Sequence, residues 1–185
     1  LVNNKWTKDD IIASVTGTAP EGYVLEYKLS GGMTKDWTTY TGNVTINKNN
    51  TTMVARYYNE DVDDEIASPS KTASMIDKFA PDITAMKIDI TTGTNNVTAV
   101  ASGATDDLSG NVTYKYSLDN STWQDSGVFT GYKNATEVTV YAKAIDKVGN
   151  ESASISNTGT TAAISTPILN LVNNDEINEL ISSNE

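Results

Sequence analysis

The 185-residue sequence contains no cysteine and no histidine. Without them a disulfide framework, thiol chemistry, a Cys/His zinc site and a Ser-His-Asp triad are all excluded. The lack of cysteine is neutral about compartment. No apolar run approaches the roughly 18 residues of a membrane-spanning helix, and no signal peptide is visible. The chain begins with Leu1 rather than Met, which reads as an excerpt of a longer polypeptide, so missing targeting says little about location. Basic residues are few: 13 Lys and Arg stand against 24 Asp and Glu, for a net charge of −11. A polyanion needs clustered Lys and Arg to displace its counterions, so this balance argues against nucleic acid and anionic membrane surfaces as partners. Helical Leu/Ala/Glu/Lys tracts are absent until the last residues. Hydrophobic residues make up only 38%, which suffices for small β-domains whose sheets leave one face wet.

What is present is alternation. Residues 112–150 organise the chain. They read V-T-Y-K-Y-S-L-D-N-S-T-W, then V-F-T-G, then E-V-T-V-Y-A-K-A-I-D-K-V-G-N. Side chains on a strand swap faces at each residue. Val112, Tyr114, Tyr116 and Leu118 are therefore expected inward, and so are Val138, Val140, Ala142 and Ala144. Asp119-Asn120-Ser121 supplies one turn and residues 146–150 another. Earlier strands are expected over residues 10–16, 23–29, 43–47 and 51–58, with a weaker one over 66–76 broken by Pro69. Later ones are expected over 83–90, 95–101 and 151–157.

The chain repeats itself. Y-K-L-S-G-G ahead of Trp37 answers Y-S-L-D-N-S-T ahead of Trp123, and V-A-R-Y-Y-N answers Y-A-K-A-I-D; matched residues lie 86–89 positions apart. The slip falls in a turn, where insertions are tolerated. Short strands with turns roughly every ten residues predict antiparallel sandwiches. The expected division is a first domain over residues 1–78, a second over 79–160, and a linker with a C-terminal segment over 161–185. The first copy lacks a counterpart of the 83–90 strand: either the excerpt omits it, or residues 1–8 pair loosely at an edge. Residues 158–166 have linker composition. Ile177, Leu180 and Ile181 after Asn174 suggest a short helix, the start of a third domain or a docking segment.

The Y-K-Y-S-L-D-N-S-T-W … F-T-G … V-Y-A-K-A-I-D-K-V-G-N-E-S core resembles the bacterial immunoglobulin-like repeats, in particular the OmpL47-type and related T-D-x-A-G-N domains of surface proteins, extracellular glycosidases and phage structural proteins. D-K-F-A-P-D-I is similar to the joint between such repeats, and K-W-T-K-D-D-I-I-A-S-V to their opening. The resemblance spans residues 5 to 160. It implies an all-β fold of two tandem Ig-like sandwiches acting as spacers, stalks or adhesive modules. In the first copy, residues 59–64 replace the D-K-x-G-N turn.

The candidate chemistry is sparse. In a sandwich of this order, the loop of Asp106 and Asp107 and the turn from Asp146 to Asn150 share a pole with the incoming linker and Asp77. Converging carboxylate and amide oxygens suit Ca²⁺, and the resemblance implies joints stiffened in this way. The alternative is that Asp, Asn and Gly are turn formers only. Trp6 is the candidate aromatic for a sugar ligand; Trp37 and Trp123 recur at one repeat position, which predicts that each packs its own core. No acidic pair stands out as a glycosidase site, no spacing selects a Lys–Asn crosslink, and the sequons at Asn43, Asn96, Asn111 and Asn120 follow from Asn/Thr richness.

The expected role is a non-catalytic stalk, spacer or adhesive module of a bacterial surface or phage structural protein, outside the cell or on a virion. It requires no cofactor; Ca²⁺ at the joint is the candidate ion. Its expected partners are neighbouring domains of the polypeptide and a surface glycan or protein receptor. The alternative is a carbohydrate-binding accessory module of a secreted glycoside hydrolase. A third reading is a phage decoration whose residues 167–185 dock onto a neighbour.

Overall fold

A computed structural model of the chain describes residues 4–169. The expected C-terminal helix lies outside the described residues. The protein is all-β: thirteen strands and no helix occur among those residues. The strand-rich stretches are those where β-branched and aromatic residues alternate with polar ones, so that each strand can wet one face and bury the other.

Two sandwiches follow one another. In the first, β2 (Val24–Gly31) pairs with β3 (Lys35–Thr39) and β5 (Thr51–Asn59), and β5 pairs with both β6 (Asp64–Ala67) and β7 (Lys71–Ala73). The facing sheet has only β1 (Ile11–Ala13) and β4 (Val44–Ile46). In the second, β10 (Thr113–Ser117), β12 (Glu137–Ile145) and β13 (Ile155–Thr160) form one sheet; β8 (Lys87–Thr92), β9 (Asn96–Ser102) and β11 (Val128–Thr130) form the other. All of these ladders are antiparallel. Each sandwich has its own core. One holds Ala13, Tyr27, Leu29, Val44, Ile46 and Met53. The other holds Ile88, Val97, Tyr116, Phe129, Val138 and Val140. Tyrosine hydroxyls lace the sheets together: Tyr116 Oη accepts the Ala101 amide at 3.0 Å, and Tyr40 Oη accepts the Val15 amide at 3.0 Å.

The duplication is preserved side chain by side chain. On the wet face of β5, Arg56 lies 4.1 Å from the centroid of Trp37 and bonds Glu65 at 2.7 Å. On the wet face of β12, Lys143 lies 4.4 Å from Trp123 and bonds Glu151 at 2.6 Å. The three members of each trio correspond at spacings of 86, 87 and 86 residues. A cation over an indole face gains from the ring quadrupole, and the carboxylate fixes the cation there. This corrects the expectation that Trp37 and Trp123 pack the cores. Both are half-buried under a cation on the outer face; Trp37 falls at the irregularity between the Tyr27–Thr38 and Leu29–Lys35 pairs, and Trp123 just before the Tyr116–Gln124 bridge.

Other expectations shift. The 83–90 strand begins only at Lys87; residues 83–86 turn, with the Met86 amide donating to Ile83 O at 2.9 Å. Leu118 is exposed and Ser117 buried. The strand ends at Ser117, where the Asp119 carboxylate gathers the Ser121 and Thr122 amides and the Ser117 hydroxyl, breaking the alternation. Residues 158–160 belong to β13 rather than to a linker, and Thr161 is buried, its hydroxyl donating to Lys133 O at 2.7 Å.

The Thr122 and Ser121 amides, then the Ser117 hydroxyl, hold Asp119 far below the usual carboxylate range. A depressed folded-state pKa stabilises above the unfolded value of about 3.9, and that contribution vanishes as pH falls through the folded pKa. Asp119→Asn should therefore lower the denaturation midpoint at neutral pH, and its deficit against the parent should shrink below about pH 4; urea titrations across pH read both. Ile46, fully buried in the first core, should cost about 2–5 kcal/mol when cut to Ala. If the cores are independent, hydrogen exchange will quicken over β1–β7 and stay unchanged over β8–β13.

Candidate metal centre at the joint

Asp77 ends the first sandwich and begins the joint. The leading segment pairs with it: Thr7 N donates to Met75 O at 2.9 Å, and Asp77 N donates to Thr7 O at 2.8 Å. Asp77 Oδ1 accepts the Phe79 amide at 3.0 Å, an Asx-type turn that starts D-K-F-A-P. Its Oδ2 accepts the Ser109 amide at 3.1 Å, and its carbonyl accepts Asn150 Nδ2 at 3.1 Å. One residue thus bonds the first sandwich, the linker and two loops of the second. It is fully buried, which a charged carboxylate tolerates only when its oxygens are bonded.

The two loops are built by the same device. At the end of β12, Asp146 Oδ1 accepts the Val148 and Asn150 amides, each at 2.9 Å, and Oδ2 accepts Asn150 Nδ2 at 2.7 Å. Gly149, with φ +85°, supplies the left-handed residue this reversal needs. After β9, Asp106 Oδ2 accepts the Gly110 amide at 2.5 Å, with Leu108 N and Ser109 Oγ at 3.3 and 3.4 Å. The Lys147 amide donates to Gly110 O at 3.2 Å and ties the loops together.

One carboxylate oxygen each from Asp77, Asp106 and Asp146 lies within 4.8 Å of the others. Asp77 and Asp146 are buried, and Asp106 is half-buried. At such separations two like charges repel by roughly 3–4 kcal/mol at an effective dielectric near 20. The amide donors explain each turn separately. They do not explain why three turns aim their carboxylates at one point. The donors are hard oxygens with no sulfur or imidazole among them, a set suited to Ca²⁺ rather than Zn²⁺.

Of the residues expected from sequence, Asp77, Asp106 and Asp146 come together, with Asn150 bonded to two of them. Asp107 does not join. Its exposed side chain lines an adjoining cavity of about 260 Å³ with Phe79, Asp82, Thr105, Leu108 and Asp106 itself. Trp6 is half-buried on the leading segment beside Thr7. Sequence reading missed Ser109, which contributes its backbone amide, and Lys8, whose Nζ donates to Gly149 O at 3.2 Å across the joint. A backbone donor leaves no mark on residue identity, and Lys8 is one lysine among many. The Asp10–Lys78 ion pair braces the same side.

No protein-family model and no curated protein matches this chain. Among solved structures it is similar to the Clostridium thermocellum CbhA fibronectin(III)-like modules, at 14% sequence identity and a TM-score of 0.33, over 90% of this chain and 94% of that chain.

Proposed function

We propose that the chain is a non-catalytic pair of Ig-like modules of the OmpL47-type or a related repeat. In this reading it serves as a stalk, spacer or adhesive segment of a bacterial surface or phage structural protein, outside the cell, and Ca²⁺ stiffens its joint. The observation that carries this reading is the bonding of Asp77 to both sandwiches at once. A spacer must transmit orientation from one module to the next. A hinge of free residues does not, whereas a buried residue bonded on both sides does. Ca²⁺ held by Asp77, Asp106 and Asp146 would cancel their mutual repulsion and stiffen the contact further. The wet, acidic surface suits a module that must stay apart from its copies.

The alternative, a carbohydrate-binding accessory module, needs an open aromatic platform. Arg56 and Lys143 cover Trp37 and Trp123, which leaves Trp6 as the tryptophan to test.

Calorimetry should find one Ca²⁺ per chain, with a Kd of about 10⁻⁴–10⁻³ M as in extracellular modules. At a hundredfold excess over Kd, binding should stabilise by about 2.7 kcal/mol. Asp146→Asn should abolish the heat. No heat and no thermal shift in the parent would remove calcium from the proposal while leaving the spacer role standing. A glycan array separates the two roles: the spacer reading predicts silence, while binding lost in Trp6→Ala would favour the carbohydrate reading.

A further inference from the structure

In the second sandwich the first strand and the last lie side by side. Asn157 Nδ2 on β13 donates to Ile88 O on β8, and the Ala162 amide donates to Gly93 O, each at 2.8 Å. Between them Gly159 sits against Ile90 and Thr92: a Cβ there would lie 2.5 Å from Ile90 Cγ2 and 3.0 Å from Thr92 Cγ2. Residues 88, 90 and 93 thus meet residues 157, 159 and 162, at a constant separation of 69 along the sequence. Partners that advance together run parallel, so β8 and β13 point the same way although every ladder of this sandwich is antiparallel.

The first sandwich repeats this pairing where the chain leads into β1 and out of β7. Thr7 and Ile76 form a parallel bridge, the Thr7 amide donating to Met75 O and the Asp77 amide to Thr7 O. Their separation is again 69 residues, and they stand 86 residues before Gly93 and Ala162. The direction of the strands has a mechanical consequence. Tension along the chain pulls β8 from its start and β13 from its end, so the contacts between these parallel strands are sheared together. An antiparallel pair pulled from one end opens one bond at a time.

We propose that the seam between β8 and β13 is load-bearing: it holds the second sandwich closed when the chain is pulled along its length. The inference rests on the spacer reading and gives that spacer a mechanical task. Ile90 and Ile155 pack against the core from the two strands, so sliding the seam exposes apolar surface. Asn157 bridges the two sheets where no ladder joins them. Gly159 lets the strands approach more closely than any side chain would permit. It has no left-handed φ, so close approach, and not backbone freedom, is what requires glycine there.

The chain has no cysteine, so paired cysteines can place the handles for single-molecule pulling. Phe79→Cys with Ile164→Cys, both at exposed positions, loads the seam in shear. Glu137→Cys with Thr160→Cys, an opposed and exposed pair on β12 and β13, peels that ladder from one end. At one loading rate the shear pair should rupture at a force at least about twofold higher than the peeling pair. It should release up to about 300 Å of chain in a single step. Gly159→Val and Asn157→Asp should each bring the shear force down toward the peeling force and leave the peeling force unchanged. A retained melting transition reports that they fold; should Gly159→Val fail, Asn157→Asp, at an exposed position, carries the comparison. A shear force no higher than the peeling force, or one that either folded variant leaves unchanged, would overturn the proposal and leave the spacer reading standing. So would a loss shared equally by both geometries, which is general destabilisation. Failure of the spacer reading itself shows separately, as Trp6-dependent binding on the glycan array.

Discussion

A carboxylate buried without a partner is among the more costly things a small β-protein can contain. Asp77 is a buried carboxylate whose two oxygens are both bonded, and the arrangement of the molecule at the joint follows from providing for it. Its two side-chain oxygens take amides from opposite directions, Phe79 on the linker and Ser109 on the second sandwich, while its own amide and carbonyl reach Thr7 and Asn150. Removing any of these neighbours leaves a dry polar group, so the linker is held in one path. Lys8 against Gly149 and Asp10 against Lys78 add contacts at the surface, where screening makes each of them weak. Orientation between the sandwiches is therefore set by the buried residue.

The need to receive Asp77 also accounts for where the two copies diverge. The turn after β12 carries D-K-V-G-N, and its Asp146 and Asn150 side chains close on each other and on the joint. The turn after β5 carries N-E-D-V-D-D, and there Asn59 caps Asp61 while Tyr58 and Tyr23 bond Asp63 and Asp64. That turn organises only itself and its own sheet edge. Elsewhere the copies agree down to a Trp, a cation and a Glu on the wet face. Those three groups gain from one another locally, so nothing in the joint alters them.

Much of this was readable from residue order, and the reasons are physical. Alternation located the inward faces of β5 and β12, because a central strand between two neighbours must keep strict period two. It failed at Leu118, past the last ladder residue, where side-chain hydrogen bonds of Asp119 govern the backbone instead of pairing. It misplaced Trp37 and Trp123, because recurrence at a repeat position signals a shared environment without saying which face provides it. The convergence of Asp77, Asp106 and Asp146 followed from topology, since the loop after β9, the turn after β12 and the linker share one pole of the sandwich. Asp107, one residue on, points away, and a difference of one residue in a loop is beyond what strand order can decide. Ser109 was unreadable for another reason: it acts through its amide, which every residue but proline has.

Among the described residues the first sandwich has no counterpart of β8. An Ig-like sandwich closes its seam with an edge strand, and in the second copy β8 does so within the same chain, after the joint and before β9. The order of the chain thus places the joint and the closing strand side by side: the segment that docks a module on its predecessor is also the one that completes it. In the first copy the leading residues reach the joint through Thr7 and enter β1 at Ile11 with no such strand between them. Its inner layer is nevertheless complete, since Ala13, Val44, Ile46 and Met53 are buried without a cover strand.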